Sequence, residues 1–68
     1  MMIEGDTIRR IRKAMAAGRL NAHFRADDVN KALGIDFAGT FLPKHRVGNL
    51  GGNTELFVRI SAGLYRLK

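Results

Sequence analysis

Between Lys44 and Phe57 the chain reads KHRVGNLGGNTELF, three glycines and two asparagines set between a basic tripeptide and an apolar run. Glycines in this density could do one kind of chemistry: their backbone N–H groups could converge on a phosphate, with a helix N-terminus behind them adding its dipole. The segment C-terminal to the glycines decides the matter. Thr54 to Ile60, TELFVRI, is β-branched, aromatic and alternating, which predicts a strand in place of that helix. The Gly-Lys-Ser/Thr ending of a nucleotide loop is also missing, so no nucleotide cofactor is expected. A metal-dependent nuclease site from His23, Asp36, His45 and Glu55 is the other chemical option. No pair among them has helical His-x-x-x-His spacing and no tight acidic cluster supports it, so neither a metal nor an enzymatic activity is expected.

The remaining chemistry is electrostatic. Twelve Lys and Arg against six Asp and Glu give a formal charge of +6 on 68 residues, and the sequence pI is near 10.9. Such an excess points first to nucleic acid, because cations that neutralise phosphates release condensed counterions. It is also lopsided: residues 1–36 hold seven basic and five acidic side chains, residues 37–68 five basic and only Glu55. The second half therefore faces the anion.

The elements that must position these groups are short. Sixty-eight residues make one domain near the lower size limit for an unstapled core, and there are no cysteines to staple it. No stretch is long and apolar enough for a membrane span or a secretory signal, so a cytoplasmic, soluble protein without small-molecule substrate is expected. The Met-rich residues 1–6 read as a flexible start, with the domain running over 7–68. Asp6 or Thr7 can cap a first helix in which Ile8, Ile11, Ala14 and Met15 form the core stripe and Gly18 the stop. Its basic residues, Arg9, Arg10, Arg12 and Lys13, read as a solvated face.

Leu20 to Arg25 forms an extended connector, with Leu20 and Phe24 buried. Ala26 to Gly34, ADDVNKALG, is a second helix on a Val29, Ala32 and Leu33 stripe; Arg25 stands where a capping Ser or Thr belongs, and Asp28 compensates. A third helix is drawn from Phe41 to Val47, with Thr40 as N-cap, Pro43 in its first turn and Gly48 as its stop; starting at Asp36 and kinking at Pro43 is the alternative. Phe37, Phe41 and Leu42 then point inward, and Lys44, His45 and Arg46 outward. The chain closes with a β-hairpin, ELFVRISAGLYRLK, turning at Gly63, where Phe57 and Tyr65 fill the core. Arg59 and Arg66 can pair with Glu55 across the hairpin.

Three short helices followed by a C-terminal β-hairpin is an α+β order, and here ADDVNKALG, FLPKHRVG and LFVRISAGLYRLK resemble the small winged helix-turn-helix modules found alone or attached to restriction endonucleases and related DNA-acting proteins. The resemblance covers the chain from Thr7 onward. It implies double-stranded DNA binding, with the third helix in the major groove and the hairpin along the backbone. By position it places Thr40, Lys44, His45 and Arg46 at the groove, Asn49 and Asn53 beside it, and Arg59, Arg66 and Lys68 on or near the wing. Arg46 is expected on a base edge and Lys44 on phosphate. The loop NLGGN becomes a mobile flank of that helix. A homodimer partner or a larger DNA-acting protein fits the same resemblance. The rival reading is an interaction module, which an exposed Phe37, Phe57 or Leu64 would mark.

Overall fold

The computed structural model describes the backbone from Ile3 to Lys68 and the side chains from Gly5 onward. Three helices, α1 (Ile3–Ala16), α2 (Ala26–Leu33) and α3 (Ala38–Lys44), combine with three strands, β1 (His23–Phe24), β2 (Phe57–Ser61) and β3 (Leu64–Leu67). The strands form one antiparallel sheet in the order β1-β3-β2. It is a small α+β domain. Among the described residues no helix is long and apolar enough to cross a membrane.

Helix α1 begins earlier than its sequence signals. Asp6 and Thr7 lie inside it, and Thr7 is buried, so neither is the cap, and part of the segment expected to be flexible is helical from Ile3 on. Met1 and Met2 lie outside the described residues. The other end is as expected: Gly18 takes φ 77°, its N–H donates to the Met15 carbonyl at 3.1 Å, and the Arg19 N–H donates to the Ala14 carbonyl at 2.9 Å. This pair of bonds is a Schellman closure, and it needs the left-handed backbone that glycine supplies. Ile11 and Ala14 are fully buried by the expected stripe.

Leu20 and Phe24 are buried, but the connector is more than a connector. His23 and Phe24 pair with Arg66 and Tyr65 and add a third strand to the hairpin. Two residues carry no readable alternation, which is why the hairpin alone is visible in the sequence. Arg25 is the N-cap of α2, and its backbone N–H donates to the Asp28 carboxylate at 2.9 Å. An Arg side chain cannot accept a hydrogen bond, so Asp28 supplies the accepting half of the cap.

Helix α3 departs from its expected bounds at both ends. It spans Ala38–Lys44 with Phe37 at the N-cap, so Thr40 lies inside it and His45 and Arg46 lie beyond it. Its start is set from a distance: the Asn30 side chain of α2 accepts the Ala38 N–H at 3.0 Å, while the Asn30 carbonyl accepts the Ile35 N–H at 3.1 Å and closes α2. One asparagine thus ends one helix and opens the next. Pro43 sits near the C-terminal end, where it withholds a bond only from the carbonyl of the exposed Gly39, and the helix stops one residue later.

Phe57 is the hub of the core. Its ring meets Phe24 of β1 edge-on at 6.0 Å and Phe41 of α3 at 5.8 Å, joining sheet to helices. Its backbone does a second job. The Phe57 N–H donates to the His45 carbonyl at 3.1 Å, and the Val47 N–H donates to the Phe57 carbonyl at 2.8 Å. The chain leaving α3 therefore lies parallel to the start of β2, with Arg46 opposite Phe57.

Candidate nucleic-acid interface

The residues expected to meet nucleic acid separate into three groups. Thr40 and Lys44 are exposed on α3, one turn apart on the same side. Phe37 and Phe41 share that side, and together these four line a concavity of about 260 Å³. Phe37, expected inside, is 37% exposed. The spacing i, i+3, i+4, i+7 is present in the sequence, but a helix drawn from Phe41 cuts Phe37 and Thr40 away from it.

The second group is committed to the protein itself. His45 is buried, not outward-facing: 4% of it is exposed. Its ring lies 4.6 Å from that of Phe41. Its Nδ1 sits 2.8 Å from the Thr54 carbonyl, which can only accept, so Nδ1 carries the proton. Asn49 is likewise employed, since its Nδ2 donates to the Pro43 carbonyl at 2.9 Å and its Oδ1 accepts the Gly51 N–H at 2.8 Å. It caps the C-terminal end of α3 and folds the loop behind it. A Cβ at Gly51 would stand 2.9 Å from Asn49 Oδ1 and 3.0 Å from Asn53 Nδ2, so a side chain here would push the Asn49 amide off the Gly51 N–H. The half-buried Asn53 packs there. A loop expected to be mobile is tied at His45, Asn49 and Glu55.

Glu55 provides the third tie. Its carboxylate accepts the Gly48 N–H at 3.0 Å and lies 3.6 Å from Lys68 Nζ. The partner expected for it, Arg59 or Arg66, is therefore replaced by Lys68. The Gly48 hydrogen bond holds its pKa below the ordinary glutamate value; desolvation opposes it, and the Lys68 charge adds a lesser lowering. A depressed carboxylate stabilises the fold fully above its unfolded pKa and loses that contribution as pH falls through the folded one. The tie is thus intact at neutral pH and released in acid, on the low side of the ordinary glutamate pKa. Carbon-detected NMR titration should show the Glu55 carboxyl titrating on the acid side of a free glutamate, with the Gly48 amide shift tracking it. Titration at or above the ordinary value would mean that the tie is absent in solution.

The third group is the hairpin. Arg59 is opposite Tyr65 and Arg66 is opposite Val58, so the two arginines leave opposite faces of the sheet. Arg66 shares its face with His23. Arg59, Arg66 and Lys68 are exposed, and Arg46 is half-buried with its Nη1 3.4 Å from the Val47 carbonyl. The hairpin tip is fastened to α2: Arg25 Nη1 donates to the Ala62 carbonyl at 3.3 Å. Among the described residues no three His, Asp or Glu side chains gather as a metal site. Compared with known proteins, the chain matches no family model, no curated protein and no solved structure.

Proposed function

We propose that this chain is a winged helix-turn-helix domain that binds double-stranded DNA, with the exposed side of α3 toward the major groove and the hairpin beside the backbone. The observation that carries the reading is the placement of charge after residue 36. Glu55 is the only acid there, and it is occupied by Gly48 and Lys68. Lys44, Arg46, Arg59 and Arg66 have no acidic side chain within ion-pair distance among the described residues. Four cations without counter-charge around a helix-turn-helix pair fit a polyanion. With His45 and Asn49 committed to the fold, Thr40 and Lys44 stand for the groove, Arg46 for the adjoining base edge or phosphate, and Arg59, on the sheet face that carries Phe57 and Tyr65, for backbone phosphate, while Arg66 leaves the opposite face and Lys68 pairs with Glu55.

Affinity for a random duplex is expected to fall about tenfold or more between roughly 50 and 200 mM salt. Lys44→Ala with Arg46→Ala should weaken binding and lower the salt slope by about two, with the melting temperature nearly unchanged. Undetectable binding at low salt would overturn the proposal. The apolar concavity at Phe37 and Phe41 favours a second reading, in which α3 docks a protein partner or a second copy of this chain, and that reading would remain if the duplex does not bind.

A further inference from the structure

Arg10 and Lys13 are three residues apart on α1 and therefore share a side. The Schellman closure at Gly18 turns the chain so that Arg19 comes round to the same place. These three cations and the α2 residues Ala32 and Leu33 enclose a cleft of about 240 Å³ whose lining, among the described residues, contains no acidic side chain. Arg10 is held there by one bond, from its Nη2 to the Leu33 carbonyl at 2.6 Å, which also satisfies the end of α2. A guanidinium has five donors, so the others remain available.

A basic helix face is ordinarily just solvated. Here the charges converge from two segments on one concave space, and like charges gathered without a counter-ion repel. An anion of several acceptor oxygens would remove that repulsion and take up the spare donors. We propose that this cleft is a phosphate-binding site, with Arg10, Lys13 and Arg19 as its ligands and the apolar Ala32 and Leu33 as its floor. The chemistry recognised is a phosphate group, whether free or part of a nucleic-acid backbone. In the first case the site is independent of the function proposed above; in the second it rests on that function and adds a contact remote in sequence from α3.

The test uses the full chain and its Lys13→Gln, Arg19→Gln double variant, whose side chains are exposed. The melting temperature is measured in inorganic phosphate and in chloride at equal ionic strength, and duplex affinity is measured across salt. For a free phosphate, the native chain should melt higher in phosphate, and the double variant should bind phosphate at least about tenfold more weakly, the loss expected from one or two charge-assisted bonds. For a backbone phosphate, inorganic phosphate has no effect but the double variant loses duplex affinity and about one to two units of salt slope. In chloride alone the variant should melt as high as the native chain or higher, since repulsion is relieved. The proposal is overturned if phosphate gives no stabilisation beyond chloride and the variant binds duplex unchanged. Lys44→Ala with Arg46→Ala keeps the two proposals apart: it should abolish neither phosphate stabilisation nor the cleft's own share of the salt slope.

Discussion

Phe57→Ala should lower the unfolding free energy by about 3–5 kcal/mol. The side chain is fully buried, and truncating a core phenylalanine costs about 3–5 kcal/mol. A domain of 68 residues has on the order of 3–10 kcal/mol of stability in total. Between roughly a third and all of that margin would be lost at one position. The reason lies in what the ring joins, since Phe24 belongs to the edge strand β1 and Phe41 to α3, and Phe57 touches both edge-on. With no disulfide or second core to compensate, sheet and helices would come apart together. Urea unfolding monitored by circular dichroism checks this, with Phe57→Leu as the control that keeps most of the volume and should cost far less. A Phe57→Ala midpoint corresponding to a loss below about 1 kcal/mol would show that the core is organised elsewhere.

That hub is legible in the sequence as alternation, and so are α2, its Asp28 cap, its Gly34 stop and the turn at Gly63. All are local signals, carried by residues within one turn or one pleat of each other. The illegible features depend on partners far along the chain. The start of α3 is set by Asn30 eight residues upstream, so the nearest Thr looks like the cap. β1 exists because β3 offers it an edge. Arg59 and Arg66 both look available on the hairpin, and only the pairing register puts them on opposite faces. The concave side of α3 and the three-cation cleft lie one step further off, since each needs the packing of elements whose bounds local signals do not fix.

His45 is where sequence and structure differ most, and its substitution should separate folding from binding. It stands between Lys44 and Arg46, and a basic run reads as a surface. Yet α3 ends at Lys44, and the next residue turns inward onto Phe41 while Lys44 stays exposed and Arg46 half-buried. His45→Ala removes a buried ring and leaves the Thr54 carbonyl without its donor, a combined loss of about 2–4 kcal/mol. His45→Asn puts an amide N–H close to where Nδ1 stood and should recover about 1 kcal/mol of it by restoring that bond. The Lys44 and Arg46 double variant should behave in the opposite way, melting like the native chain and, on the function proposed above, binding duplex poorly. Measured at a temperature where each protein is folded, the duplex affinity of His45→Asn should match the native value. If instead it keeps the native melting temperature and loses duplex binding, the imidazole belongs to the interface, and the loop from Gly48 to Thr54 is positioned by something other than the His45 bond. The expected result makes that loop a braced support for the exposed Lys44 and the half-buried Arg46, with their common neighbour His45 holding the chain from within.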